Sequence, residues 1–597
     1  MNAPQALPVE APNIAPWVAE TLRVQGDGVE LAAYRWGNRA GPTLLLVHGY
    51  PDNHEVWLPL VYALASDYQL VAYDVRGAGA SDKPGKRLDY HLTKLANDME
   101  AVILATSPNQ PVHVVAHDWG SIQSWEAVTE PRLAPLLASY TSLSGPCLDH
   151  VGHWMRDRLQ QKSPKAWGQV ISQLLSSWYI GMFHTPLLPE LLWRSGLAKL
   201  WPSYLQRVEG VHNPHVSASL SADGQHGVKL YRANFIRSLL HPRQRPTSVP
   251  VQLIVQTRDR YVGPQLFDQL SRWVPQLWRR EVHTGHWQLL AEPTQLAGWL
   301  REFITHLQGG EGSPSLQRAK VKANAGPDAG KVVLVTGAGG GIGRATLLNF
   351  AERGACVLAA DINLAAAERS AELARALGAE AYTYQLDVGD SVAMQACADW
   401  VQQRFGSLDI LVNNAGIGMA GAMLDTSAAD WERLLRINLW SVIDGCRLFA
   451  RQMVDAGKSG HIVNIASAAA FVPSRNYAAY ATSKAAVLML SECLRAELAS
   501  QGIGVTAVCP GLVNTGIIQA TRFHGLSAAA EAKQKARAQR LYQRRNLTPE
   551  TVAKHLIRAI ERNRAVIAVG SEAHLSVAQW RFAPWLSRLL ARLNLAA

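Results

Sequence analysis

Long apolar runs are missing from this chain: no stretch of about 18 consecutive apolar residues occurs in its 597 residues, so no membrane-spanning helix is expected. Cysteine is scarce. The six present (Cys147, Cys356, Cys397, Cys446, Cys493, Cys509) form no CxxC pair and no metal-finger spacing, so no metal site is expected and core thiols in a reducing compartment fit better than a disulfide framework. The first twenty residues have no Lys or Arg, are broken by four prolines and hold no continuous apolar segment. They do not read as a secretory signal, and a cytoplasmic location is expected. Internal repeats are absent as well. The remaining composition, 48% apolar and 18% charged, is that of a globular protein too long for one core.

Net charge is +11, and it is unevenly spread. From Gly516 to Ala597, 14 Lys or Arg stand against four Glu, so the rest of the chain is nearly neutral. Within that tail Trp585, Leu586, Leu589, Leu590 and Leu593 share one helical face while Arg588 and Arg592 lie on another. Such a helix suits peripheral contact with an anionic membrane, or packing over a substrate cleft in an oligomer. No nucleic-acid-binding module is recognisable, and no nucleic-acid partner is expected.

Residues 308–329, rich in Gly, Ala, Pro, Ser and charge, read as a flexible linker that divides the chain nearly in half. On either side, apolar runs such as TLLLVHG and VHVVAHD, or KVVLVTG and LDILVNNAG, alternate with helix-length stretches. This is the pattern of two parallel-sheet α/β domains, 16–307 and 330–597. Between about residues 147 and 235 the first half turns Trp- and Leu-rich and helical, as a lid inserted into the sheet would be. Of the 19 tryptophans 14 lie in this half, in keeping with an aromatic-lined cleft for an apolar substrate.

In VHVVAHDWGS, Ala116 and Gly120 flank Asp118 two residues away on each side, the small-x-nucleophile-x-small pattern of a cramped strand-to-helix elbow. A carboxylate there suits displacement at saturated carbon, giving an ester that activated water then hydrolyses. An epoxide or a carbon–halogen bond is the expected substrate. His286 in HTGHWQ is the candidate base and Asp259, just past the strand VQLIVQT, the candidate acid that orients it, with Asp223 and Asp149 as other candidates. The backbone N–H groups of Tyr50, in HGYP, and Trp119 would form the oxyanion hole. On HGYP, DVRGAGASDKP, the HDWG elbow and GHW, the first half resembles an epoxide hydrolase of the α/β-hydrolase fold. That resemblance implies two lid tyrosines that protonate the epoxide oxygen, Tyr179 in WYIGMFHTPLLPE and Tyr231 in KLYRANF. Haloalkane dehalogenases share the Asp elbow and Trp119 but commonly carry an Asn where Tyr50 stands.

In the second half, KVVLVTGAGGGIGRA is a strand running into a glycine-rich turn and a helix, with Gly337, Gly341 and Gly343 placed to let backbone approach a pyrophosphate. Asp361, at the end of the next strand, suits the adenosine ribose hydroxyls and favours NAD over NADP, while Arg344 could pair with a 2′-phosphate. Tyr480 and Lys484 stand at i and i+4 on one helix face, where the ammonium would lower the phenol's pKa. Ser467 can hold the same substrate oxygen, and Asn438 can support a water near Lys484. With NNAG, YATSK and Pro510-Gly511 in addition, this half resembles a short-chain dehydrogenase/reductase of Rossmann fold, a doubly wound parallel sheet. The resemblance implies further cofactor contacts at Ile342, Asp387, Val388, Asn414 and Thr515, and a homo-oligomer. The whole reads as an epoxide hydrolase fused to an NAD(P)-dependent dehydrogenase acting on an apolar epoxide and an alcohol. A dehalogenase fusion, or a dehydrogenase carrying a non-catalytic hydrolase-fold binding module, are the alternatives.

Overall fold

The computed structural model describes residues 19–322, 326–545 and 547–592. The residues read as lacking a secretory signal up to Val18, residues 323–325 of the expected linker, and Leu593 lie outside the described residues. The chain divides into two units between Val321 and Lys322.

In the first unit eight strands, β1 Glu20–Gln25, β2 Glu30–Gly37, β3 Thr43–Val47, β4 Gln69–Tyr73, β5 Val112–His117, β6 Leu137–Leu143, β7 Val251–Gln256 and β8 Leu277–Val282, form one sheet in the order β1-β2-β4-β3-β5-β6-β7-β8. The pairs β1–β2 and β2–β4 are antiparallel and the rest parallel. The central strands read as unbroken apolar runs because helices cover both faces: Leu45 and Val47 enter one core, Leu44 and Leu46 the other. The lid is the insertion between β6 and β7. Its last helix, Leu220–Leu240, runs past the expected boundary at residue 235. It stops where Pro242 drives His241 out of helical geometry.

The expected linker is not an open tether over its first part. Ser313 caps a short helix, Pro314–Ala319, and Leu316 is fully buried against Trp278 and Phe303. The Val321 N–H then donates to the Leu277 carbonyl at 2.8 Å. On the far side Asp328 pairs with Lys331 at 2.8 Å and with Arg353. Overall composition suggested flexibility, but one leucine with a capping serine and a proline at the first helical position anchors the segment.

The second unit holds β9 Val332–Thr336, β10 Cys356–Asp361, β11 Ala381–Gln385, β12 Ile410–Asn413, β13 Met419–Ala420, β14 Gly460–Ile465, β15 Ile503–Pro510, β16 Arg522–Phe523 and β17 Val566–Val569. Seven make a parallel sheet in the order β11-β10-β9-β12-β14-β15-β17, while β13 and β16 pair separately. Strand order reverses between β9 and β12, so a crevice opens beyond their carboxyl ends, the ligand position of such sheets.

Candidate active sites

Asp118 follows β5 and caps the helix Trp119–Val128 with a left-handed backbone, φ 49°. That turn leaves no room for side chains around it. A Cβ on Gly120 would lie 2.1 Å from the Val47 carbonyl oxygen, one on Gly49 2.5 Å from the Asp118 Cβ, and one on Gly145 2.2 Å from the Asp118 carbonyl oxygen. The strain this implies is tolerated because three glycines give way to it. The Tyr50 N–H donates to Asp118 Oδ2 at 2.8 Å. Trp119 is the first residue of its helix, where backbone N–H groups lack intrahelical partners. The Tyr50 N–H thus engages Oδ2, while Oδ1 faces His286.

His286 Nδ1 lies 2.8 Å from Asp259 Oδ2, and its Nε2 lies 3.6 Å from Asp118 Oδ1. Asp259 is fixed in turn by the N–H groups of Tyr261 and Val262 at 2.8 and 3.0 Å. The other two candidate acids serve elsewhere: Asp149 pairs with Arg243, and Asp223 accepts from the Gly79 N–H and from Ser219. Burial opposes charge on His286, but the facing carboxylates of Asp259 and Asp118 outweigh it and raise its pKa well above the usual imidazole value. On Asp259 burial pushes upward, and His286 together with the two backbone donors holds the carboxyl below its ordinary range. Loss of the Asp118 charge would remove one of the two groups that raise the His286 pKa. In Asp118→Asn, where the side chain is neutral, the His286 imidazole is expected to titrate at lower pH than in wild type. NMR of the ring protons reads this directly, and an unchanged titration would leave Asp259 alone in control.

Tyr179 and Tyr231 come from separate lid helices, Trp178–His184 and Leu220–Leu240, with ring centroids 6.1 Å apart. Tyr231 packs edge-on against the Trp119 and Tyr50 rings at 4.8 and 5.4 Å. Burial, reinforced by the Asp118 charge, raises both phenols well above their ordinary pKa. They remain protonated donors.

Sequence reasoning missed four neighbours. Asp52 accepts from Trp287 Nε1 at 2.9 Å, and burial carries its carboxyl up to about 7 despite that bond. The Tyr204 and Tyr261 hydroxyls are 2.5 Å apart, the Tyr261 ring is 5.0 Å from that of His286, and the lid residue Glu209 accepts from Tyr204 at 3.1 Å. A Cβ on Gly285 would stand 2.2 Å from Glu209 Oε2, so the lid reaches the loop that carries the base. No local spacing marks these residues, apart from Asp52 directly after HGYP.

In the second unit the glycine turn leads from β9 into the helix Gly341–Glu352. Gly337 and Gly341 adopt φ 66° and 53°, and a Cβ on Gly343 would lie 2.2 Å from the Gly337 carbonyl oxygen. Thr515 lies beside Gly341, its Cγ2 3.1 Å from where a Cβ there would stand. Asp361 Oδ2 accepts from the Gly339 N–H at 2.8 Å. Arg344 donates to Ser370 at 2.9 Å and to the Gly339 carbonyl, so its guanidinium is held by the turn itself. Asn414 Nδ2 ties the β12 end to the Thr336 and Gly337 carbonyls at 2.9 and 3.2 Å. Asp387 accepts from the Gly389 N–H at 2.9 Å just before Val388 and its neighbours lead into the next helix. The cradle of backbone at a helix N-terminus, with a carboxylate at the neighbouring strand end, fits a dinucleotide. Ile342 stands in the first turn of that helix.

Tyr480 and Lys484 lie in the helix Ala478–Leu498, Lys484 buried and Tyr480 half-buried. Lys484 Nζ donates to the Ile465 carbonyl at 2.8 Å, and burial lowers its pKa to about 8. The expected lowering of the phenol is not found. Burial raises the Tyr480 pKa, against the pull of a hydrogen bond with Ser467. Asn438 sits in a π turn, Arg436–Trp440, and clasps Ile417 through both its N–H and its carbonyl at 2.9 and 3.0 Å. Beyond Ser467, the Phe471 ring meets Trp580 of the tail at 5.9 Å, which brings the C-terminal helices beside this crevice.

Comparison with known proteins divides the chain in the same way. The family model described as alpha/beta hydrolase fold matches residues 42–293, and that described as short chain dehydrogenase matches residues 331–524. The chain is 40% identical over 578 residues to "Probable oxidoreductase EphD" of Mycobacterium tuberculosis, covering 95% of this chain and 97% of that protein. Its second half is 34% identical over 247 residues to "Putative oxidoreductase SadH" of the same species, covering 41% of this chain and 87% of that one. A crystal structure of a short-chain dehydrogenase/reductase from Burkholderia phymatum in complex with NAD is 32% identical and covers 44% of this chain and 95% of its own, at a TM-score of 0.40.

Proposed function

We propose that this chain, which belongs to the family of proteins joining an α/β-hydrolase half to a short-chain dehydrogenase half, opens an apolar epoxide to a vicinal diol in its first unit and exchanges hydride with an alcohol or ketone in its second. The observation that carries the hydrolase reading is the pair of lid phenols at the Asp118 elbow, Tyr179 and Tyr231 with ring centroids 6.1 Å apart and the Tyr231 ring 4.8 Å from that of Trp119. Asp118 Oδ1 attacks a ring carbon, the carbon–oxygen bond breaks, and a lid tyrosine gives its proton to the departing oxygen. His286 then takes a proton from water as that water adds to the ester carbonyl. The Tyr50 and Trp119 N–H groups hold the oxyanion; its collapse expels the diol oxygen, which takes the proton from His286, and the re-formed Asp118 carboxyl gives its own proton back to the lid tyrosinate. A halide needs no proton to leave, so the phenols favour the epoxide over the dehalogenase alternative.

In the second unit Gly337, Gly341, Ile342, Gly343, Asp361, Asp387, Val388, Asn414 and Thr515 would hold a nicotinamide dinucleotide, which supplies the hydride acceptor or donor. The Asp361 carboxylate repels a 2′-phosphate, and Arg344, held by Ser370 and Gly339, is not free to pair with one, which favours NAD over NADP. Tyr480 passes a proton to or from the substrate oxygen, Ser467 positions that oxygen, and Lys484 and Asn438 organise the groups behind it. A diol from the first reaction is an alcohol the second could oxidise.

Mass spectrometry of long-chain epoxides in heavy-oxygen water, with and without NAD, tests both halves. Diol carrying one heavy oxygen is expected, and ketone only with NAD. Tyr179→Phe or Tyr231→Phe alone should slow diol formation by about tenfold to a hundredfold, since either phenol can serve, and the double variant by about 10³-fold or more. Halide release from haloalkanes that is indifferent to the double variant would support the dehalogenase instead. No turnover of either substrate would make the first unit a binding module.

A further inference from the structure

We propose that the hydrolase lid docks on an anionic lipid bilayer through an outward apolar face centred on its helix Pro164–Ser176. The helix is amphipathic in an unusual sense. One stripe, Ala166, Val170 and Gln173, is buried against the rest of the protein. Trp167, Ile171, Leu174 and Leu175, followed by Trp178, recur at intervals of three and four and form a second stripe about a third of a turn away. Its members are 48, 57, 55, 71 and 68% exposed. The segment that follows adds Leu187, Leu188 and Leu191, at 70, 44 and 55%. A contiguous apolar surface of this kind marks an interaction face, since scattered single exposures are the norm on soluble proteins.

Charge decides the kind of partner. From Arg158 to Val208 there are six Lys or Arg and one acidic residue, Glu190, which is paired with Arg232 at 2.6 Å. Lys162, Lys165, Arg194 and Lys199 are exposed beside the apolar stripe. Aromatic and aliphatic side chains bordered by lysine and arginine, with almost no carboxylate, match an anionic headgroup layer over acyl chains. A cavity of about 660 Å³ lies at the same face, lined by Ile171, Leu175 and Trp178 as well as by Tyr204 and Tyr261. The Tyr261 ring that lines it also packs against His286, with ring centroids 5.0 Å apart.

Flotation of the full-length protein with vesicles of phosphatidylcholine and phosphatidylglycerol, against vesicles of phosphatidylcholine alone, tests the docking without requiring turnover. Binding is expected to need phosphatidylglycerol, to weaken with added salt, and to fall by roughly tenfold or more in Leu174→Glu/Leu191→Glu. Neither residue lines the cavity, and an unchanged thermal unfolding midpoint certifies the variant's fold. The proposal is overturned by wild type that stays with the unbound fraction, by a lid variant that floats like wild type, or by binding lost only in Phe582→Glu/Trp585→Glu, which would assign the contact to the tail. Dimers that dissociate in the lid variant while vesicles are ignored would also overturn it, making this face a contact between copies of the chain.

Discussion

Asp118→Asn should reduce epoxide hydrolysis by about 10⁴-fold or more while leaving the dehydrogenase rate at its wild-type value. The size of the loss follows from the chemistry at that position: a carboxamide is no nucleophile for saturated carbon. The change keeps the size of the side chain and an oxygen for the Tyr50 N–H, so the elbow and its three crowded glycines are undisturbed. The companion variant His286→Gln should fail later. Asp118 would still be alkylated, the ester would persist for want of a base, and intact-protein mass spectrometry should find the chain heavier by one substrate. Adduct in His286→Gln and none in Asp118→Asn establishes the covalent route. If Asp118→Asn instead retained diol formation, water would be attacking the epoxide directly and the elbow reading would fall.

Tyr480→Phe should lower alcohol oxidation by about 10³-fold with cofactor binding intact, because only the proton-exchanging oxygen is removed. Lys484→Met should weaken both, since the ammonium faces the site and also secures the Ile465 carbonyl. Cofactor fluorescence reads the binding and absorbance of the reduced cofactor the rate. Burial raises the Tyr480 pKa, so the phenolate that accepts a proton during oxidation is scarce at neutral pH. Oxidation should therefore rise with pH toward the tyrosine's own titration, while ketone reduction, which uses the protonated phenol, should not. A Tyr480→Phe enzyme that keeps its rate would move the proton transfer to Ser467 or to water.

How far the sequence disclosed these sites depended on how local each requirement is. Asp118 was legible because a left-handed turn wedged between β3 and β6 demands small residues at fixed offsets, and Ala116 and Gly120 are those residues. Tyr480 and Lys484 were legible because four residues is one helical turn. The two sheets could be read from strand runs whose both faces are apolar. Contacts made by the lid were not legible, since Glu209, Tyr204 and Tyr261 come together only once the insertion folds back over the His286 loop. The direction of the Tyr480 pKa was missed for a related reason: spacing brings an ammonium near a phenol, but burial decides the direction. Composition misled at residues 308–329, where average polarity concealed the single anchor Leu316.

That anchored segment bears on how the chain avoids pairing with others. β8 ends its sheet, and a strand in that position offers unpaired backbone groups to any extended chain that meets it. Here the protein's own continuation forms an antiparallel bridge, Lys320 opposite Trp278, and the Lys320 ammonium lies over the Trp278 ring at 5.2 Å. The residues that look like a mere connection thus seal the border of the first enzyme before the second begins. A fragment trimmed at Leu307 would bare both that border and the apolar seat of Leu316, and it would be the aggregating one of two otherwise equivalent truncations; a fragment ending at Val321 carries its own seal.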